Sequence, residues 1–210
     1  MAWVGCSVVS LALVGCGGIP LARANSQPTA TPQDPRTVGL VASDLPDGLS
    51  LCPMSGAIDS YLQRLQADGS PSYEVTAGQW TAMKKMGATA GWVQSYAQLA
   101  EECSARLGER QGPSAISFVI RFKDAPSALD GFAAGFLSLR PEQGMVVPGL
   151  TRGSETQLTG DAWTYDQTDQ SSGDFIAYWS NHRFVLFLLT QKIPAAAGEH
   201  AAAAMNDRVH

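Results

Sequence analysis

The sequence predicts an α+β domain in which helices pack on an antiparallel sheet of about five strands. Segments with apolar residues at helical spacing are interspersed with segments in which apolar and polar residues alternate. Asn181 and His182 separate two strand-like segments and suit a tight hairpin turn, because asparagine tolerates positive φ. Residues 184–189 are apolar at every position, which is typical of a central strand covered on both sides.

Four helices are predicted. The first has Ser55 as a candidate N-cap and a glycine stop, and the third has Asp124 as N-cap with Pro126 in its first turn. The last is rich in alanine, the strongest helix former. The predicted helical segments are 55–69, 76–88, 124–139 and 195–210.

Five strands are predicted, at 91–98, 115–123, 161–167, 174–180 and 183–191. Trp92 opens a strand, strand, helix order that is repeated after Trp163, so two loosely duplicated halves are one interpretation. Chance similarity between amphipathic elements is the other. With duplication, the helices after residues 124 and 194 share one face of the sheet, and the earlier two cover the other face or an edge.

The N-terminal segment carries no charged side chain before Arg23, and its compact apolar stretch runs from Ser7 to Val14. Glycines and a proline interrupt the rest, which favours a signal peptide over a membrane-spanning helix. Residues 22–37 are rich in Pro, Thr, Gln and Ser and lack apolar periodicity, which predicts a flexible tether.

Leu13, Val14, Gly15 and Cys16 resemble a bacterial lipobox, and Trp3 to Cys6 form a poorer second match. The resemblance implies cleavage before Cys16, a diacylglyceryl thioether on that cysteine, and loss of residues 1–15. It leads us to expect a lipidated cysteine and tether at 16–37 and a single domain at 38–210. The alternative is an ordinary signal peptide or membrane helix with unmodified cysteines.

This order of anchor, tether and domain is similar to that of small actinobacterial cell-envelope lipoproteins, including those with PsbP-like sandwich domains. The similarity implies a lipid-anchored protein on the extracytoplasmic face of a cell membrane, and it transfers no catalytic residue.

Net charge and cysteine content indicate which partners and which cysteine chemistry to expect. The formal net charge is −5, and no basic run exceeds Lys84 and Lys85, which argues against a nucleic-acid partner. Cys52 and Cys103 are expected to form a disulfide, because an exported protein meets an oxidising compartment. A metal or redox pair is disfavoured, since neither a CxxC motif nor a nearby histidine is present.

No motif in the sequence assigns catalytic residues, a metal or a cofactor. The three histidines fall in a turn, in the alanine-rich segment and at the end of the sequence, and we expect them to be exposed. Asp161, Asp166, Asp169 and Asp174 surround one loop. They are either ordinary hairpin residues or, less simply, ligands of a calcium ion. If the protein is an envelope enzyme, Asp161, Asp166 and Asp174 are the candidate catalytic cluster.

Aromatic residues on the predicted strands are the strongest candidate binding feature. On one sheet face they would line a cleft for an apolar ligand; the alternative is that they are core. We therefore expect a non-enzymatic domain that binds an envelope protein or a small apolar molecule. The candidate ligand-binding residues are Trp92, Tyr96, Trp163, Tyr165 and Trp179.

Overall fold

A computed structural model describes residues 32–104, 110–137 and 146–210. The predicted signal peptide, Cys16 and most of the tether lie outside these ranges. Residues Gln33–His210 form one compact unit. Within the described ranges no helix combines the length and apolar character needed to cross a membrane.

The described residues form an α+β fold around one antiparallel sheet of eight strands, so the prediction of about five was wrong. The order is β1-β3-β4-β8-β7-β6-β5, and β2 also pairs with β3. All five predicted strands are present, as β3, β4, β6, β7 and β8. The additional strands have two or three residues each, too few for an alternating pattern to be visible. The strands are β1 Ser50–Leu51, β2 Gly56–Ala57, β3 Ala88–Ala97, β4 Ser114–Phe122, β5 Leu150–Arg152, β6 Ala162–Gln167, β7 Asp174–Asn181 and β8 Phe184–Gln191.

Five α-helices accompany the sheet in the described ranges, and four of them were predicted. The Asp124 carboxylate accepts from the Ser127 N–H at 2.9 Å, so the predicted N-cap of the third predicted helix is confirmed. Ser55 is not an N-cap, because its hydroxyl accepts from the Ser95 N–H at 3.0 Å and the helix begins after Ala57. The helices are α1 Pro35–Val38, α2 Ile58–Ala67, α3 Ser72–Lys85, α4 Ala125–Ala134 and α5 Ala195–Asp207.

Each face of the sheet contributes to its own hydrophobic core. The front face carries Phe118, Tyr178 and Phe187 and packs against α2, α3 and α4. The back face carries Val119, Trp179 and Leu186 and packs against the N-terminal residues and α5. The central strands β4, β7 and β8 are therefore buried on both sides, which the apolar run at 184–189 predicted for β8.

The predicted placement of the helices is wrong, because α4 and α5 lie on opposite faces. Strands β4 and β8 are antiparallel neighbours. If two similar halves met at this pair, they would be related by a twofold axis perpendicular to the sheet, and α4 and α5 would lie on the same face. Both halves do have a strand pair followed by a helix, but this difference in helix placement leaves the duplication unconfirmed.

An N-terminal arm, residues 33–49, crosses the back face and contacts the end of the chain. The Arg208 guanidinium pairs with the buried Asp44 carboxylate at 2.7 Å, and Gln33 accepts from the His210 N–H at 3.0 Å. Arg121, near the end of β4, also donates to the Gln33 carbonyl at 3.0 Å. Residues 33–37, assigned to the tether from sequence, thus contact the domain at the end of the sheet where β4 ends, here called the terminus end.

Candidate functional site

The five aromatic candidates do not share one face. Trp163 and Tyr165 lie on the front face, whereas Trp92, Tyr96 and Trp179 lie on the back face. The register explains the division, because Trp163 is opposite Tyr178 while Trp179 is opposite Ala162. No single cleft lined by all five exists.

Their contacts are those of core and arm-packing residues. Trp179 is fully buried, and its indole N–H donates to the Asn206 side chain at 3.1 Å. The Tyr96 hydroxyl donates to the Leu40 carbonyl at 3.4 Å, and the Arg36 guanidinium lies 5.7 Å from the centre of the Trp92 ring. The N-terminal arm therefore occupies the back-face surface that a ligand would need.

The aspartates also lie apart. Asp161 precedes β6 and Asp166 is near its other end, a separation of about 17 Å for an extended strand. Asp166 accepts from the Thr168 N–H and hydroxyl, and Asp174 accepts from the Gln191 amide. The described part of the chain contains no group of three side chains able to hold a metal ion. The three histidines are exposed.

An apolar pocket of about 170 Å³ lies at the opposite end of the sheet from Gln33 and His210, where β3 and β8 end and β4 begins; we call it the pocket end. Three separate segments form its walls: the end of the arm, the connection between β3 and β4, and the connection between β8 and α5. The lining residues are Pro46, Asp47, Gly48, Leu49, Gln98, Pro113, Lys192, Ile193 and Pro194.

Backbone geometry fixes the pocket walls. The Gln98 N–H donates to the Pro113 carbonyl at 3.1 Å, which joins the two ends of the β3–β4 connection. Gly48 has φ of 95°, a conformation that favours glycine. The Lys192 N–H donates to the Gly173 carbonyl at 2.8 Å, and its ammonium donates to the Gln111 carbonyl at 2.6 Å. Three prolines add fixed φ angles to this lining.

The Cys52–Cys103 disulfide supports this end of the domain. The predicted bond is present, with a Cα–Cα distance of 5.4 Å, and Cys52 is buried. It joins the segment after β1 to the 3-10 turn at Ala100–Ser104, which follows β3. The disulfide therefore ties one wall of the pocket end to the edge of the sheet.

Two buried charges hold the same connection. Glu102 is 7% exposed, and one carboxylate oxygen accepts from the Gln111 and Gly112 N–H groups at 2.9 and 2.6 Å. Arg110 is 3% exposed and donates to the Tyr96 carbonyl and the Ser95 hydroxyl at 3.3 and 3.0 Å. Both charged side chains thus bind the connection to itself and to β3.

Burial shifts the pKa values of Arg110 and of the neighbouring Tyr61. Desolvation lowers the pKa of the Arg110 guanidinium, and the nearby Tyr61 and Glu102 partly oppose that effect. Desolvation raises the pKa of Tyr61 to about 12. The hydrogen bonds from Arg110 to β3 and from the backbone of the connection to Glu102 support a structural role for both side chains.

A second cavity, of about 140 Å³, lies between β6, α5 and the turn after β5 on the back side of the sheet. Its lining is more polar and includes Glu155, Glu199, Thr151 and Thr164. The cavity was not predicted from the sequence, because its lining residues come from five separate elements: β5, the 3-10 turn after it, β6, β7 and α5.

No protein-family model matches this sequence. No curated protein is detectably similar to it either. Function is therefore inferred from the residues of this chain.

The pocket was not predicted from sequence, and the reason is specific. Pro46, Pro113 and Pro194 come from separate connections, where proline is common and has no periodic pattern. Glu102 is buried and its neighbour Glu101 is exposed, yet nothing in the sequence distinguishes them. The cysteine pair was the one available signal for this end of the domain.

Proposed function

We propose that this chain is an extracytoplasmic lipoprotein, held by a lipid on Cys16, whose domain binds a small apolar ligand in the pocket at the pocket end without catalysing a reaction. The lipobox supports the anchor, and the disulfide agrees with an oxidising compartment. Two or more acyl chains on Cys16 would hold the protein stably on the membrane.

One observation carries the proposal: the chain enters the domain at one end of the sheet, and the apolar pocket opens at the other. Gln33 contacts Arg121 at the terminus end, whereas the pocket is formed beyond the last residues of β3 and β8. A tether from the membrane reaches the terminus end first. The pocket would then face away from the membrane, accessible to ligands outside the cell.

The pocket sets the chemistry of its ligand. Its volume of about 170 Å³ is similar to the ~150 Å³ apolar cavity that holds benzene in another protein. Proline, leucine and isoleucine side chains offer dispersion contacts, and Asp47 and Lys192 are the charges at its rim. A single aromatic ring or a short branched alkyl group fits this combination of size and lining.

Binding is tested by titrating the purified protein with toluene while following methyl NMR signals of Ile193. We expect a saturable shift, and native mass spectrometry of the same material checks for a co-purified apolar molecule. Gln98→Trp places an indole at the pocket rim and should abolish the shift. Ser171→Trp, at an exposed turn, is the matched control and should leave it unchanged. An unsaturable response, or equal responses in both variants, would rule out the pocket as a ligand site.

The anchor has its own test. Metabolic labelling with clickable palmitate should mark the protein, and Cys16→Ser should remove both the label and resistance to alkaline extraction from membranes. A Cys16→Ser protein that stays membrane-bound would contradict lipid anchoring.

A partner protein is the second candidate, supported by two exposed leucines near the pocket end. Leu51 is 56% exposed on the edge strand β1, and Leu99 is 47% exposed just after β3. If an envelope protein covers this edge, Leu51→Asp with Leu99→Asp should abolish its crosslinking to the domain in membranes, whereas Leu129→Asp, on α4, should not. Unchanged crosslinking would exclude this edge as the contact.

A further inference from the structure

We propose that the pocket at the pocket end binds a free α-amino acid with a branched or aromatic side chain. That side chain enters the pocket, while the ammonium and carboxylate groups of the amino acid contact Asp47 and Lys192 at the rim. This ligand class rests on the proposed function of the pocket and extends it, since that function specifies only an apolar group.

The interior of the pocket accepts one apolar group of moderate size. Its volume is about 170 Å³, and Leu49, Ile193 and three prolines supply most of its lining. An aromatic ring or a branched alkyl group suits that volume, and burying it removes apolar surface from water. Groups of this kind are the side chains of valine, leucine, isoleucine and phenylalanine.

The rim carries one charge of each sign, and the two charges come from different walls. Asp47 lies in the turn before β1, and Lys192 follows β8. They are the two charged residues of the lining, and they are not ion-paired with each other. Because both line one small pocket, a molecule that fills it lies next to both residues.

Lys192 is held in position by two contacts. Its stem lies against Gly173, where a Cβ would be 3.4 Å from the lysine Cγ, and its ammonium donates to the Gln111 carbonyl at 2.6 Å. An ammonium group has three N–H donors, so two remain for the carboxylate of a ligand. Holding the charge in place before binding reduces the conformational entropy that is lost when the ligand binds.

The Asp47 carboxylate has no hydrogen-bond or ion-pair partner among the described residues. The residue is exposed, so water solvates its charge in the free protein. A wholly apolar ligand would displace part of that water without replacing its hydrogen bonds. The ammonium group of an amino acid replaces them with charge-assisted ones.

The balance of the two rim charges favours a zwitterion over a simple ion. An anion or a cation at the rim is attracted by one of the two residues and repelled by the other. A zwitterion that places its ammonium group near Asp47 and its carboxylate near Lys192 is attracted by both. An α-amino acid carries both groups on the carbon atom that bears its side chain.

The test titrates the purified protein with leucine and with two analogues that share its alkyl chain, while following the methyl NMR signals of Ile193. The analogues are 3-methylbutylamine, which lacks the carboxylate, and 4-methylpentanoate, which lacks the ammonium group. We expect leucine to bind about fivefold more tightly than either analogue, the effect of one exposed ion pair. Glycine, with both charges and no side chain, should give no saturable shift. Equal affinities for leucine and either analogue would overturn the zwitterion.

Two variants assign the charges. Asp47→Asn should weaken leucine and 3-methylbutylamine binding about fivefold without weakening 4-methylpentanoate, and Lys192→Gln should weaken leucine and 4-methylpentanoate without weakening 3-methylbutylamine. The matched controls Asp130→Asn on α4 and Lys85→Gln on α3 remove the same charges from exposed positions elsewhere and should change none of the affinities. Thermal melting checks that all four variants fold. Equal effects of a rim variant and its control would exclude that rim residue from the site.

Toluene separates the amino-acid proposal from the proposed function. If toluene binds but leucine binds no more tightly than its analogues, the pocket remains a ligand site and the amino-acid class is wrong. If neither toluene nor leucine gives a saturable shift, the pocket is not a ligand site and both proposals are wrong.

Discussion

Removing the Cys52–Cys103 disulfide should lower the free energy of unfolding by about 4 kcal/mol. The bonded cysteines are 51 residues apart, and a crosslink over that separation reduces the entropy of the unfolded chain by about 14 cal/mol/K in the chain-entropy relation. In a domain of this size each kcal/mol shifts Tm by about 2–4 °C, so Tm should fall by about 10 °C.

The assay compares thermal and urea unfolding of Cys52→Ala, Cys103→Ala and the double variant with the wild type. Alanine is preferred to serine, because Cys52 is buried and a hydroxyl there would lack an assured partner. All three variants lose the same bond, so the double variant should lose little more than either single one. The wild type with a reductant isolates the bond from the side-chain change. A loss below about 1 kcal/mol on reduction would refute the entropic reasoning.

Two further predictions concern the core. Gly131→Ala should destabilise the protein by about 1–3 kcal/mol in urea unfolding, because its Cβ would lie 2.3 Å from a buried phenylalanine ring atom. Gly78→Ala, with open space around it, should stabilise the protein by about 0.5–1 kcal/mol. A Gly131→Ala protein more stable than Gly78→Ala would contradict the packing. The raised pKa of Tyr61 stabilises the fold below pH 10, and this stability should be lost as pH rises from about 10 to about 12. Melting temperatures should show a smaller alkaline decrease in Tyr61→Phe; an identical decrease would exclude this residue.

Elements whose signals are local were predictable. The helix after Asp124 has a cap, a proline and an apolar stripe in one short segment, and it forms as α4. The strand at 184–189 is apolar throughout and is central, as expected. The disulfide was predicted because the domain has two cysteines and an exported protein meets an oxidising compartment. Each of these inferences needed only residues close in sequence or a chemical rule independent of the fold.

Features that depend on register or long-range packing were not predictable. Trp163 and Trp179 belong to different strands, and the pairing of those strands decides whether the rings share a face. A shift of one residue would have placed them together. Residues 33–37 have the composition of a tether, yet Pro35 is buried and Gln33 bonds to Arg121 and His210. The pocket joins three connections whose proximity depends on the whole sheet.

The contacts of the N-terminal arm with Arg208 and His210 determine when the back face of the domain can close during synthesis. Asp44 pairs with Arg208, 164 residues later, and the Gln33 side chain bonds to the Arg208 carbonyl and the His210 N–H, 175 and 177 residues later. A ribosome makes the arm first, so its ionic and amide partners do not exist until almost all of the domain has been synthesised. Closure of the back face is therefore a late event that waits for α5, and removing the last three residues would remove the contacts of Arg208 and His210 with the arm.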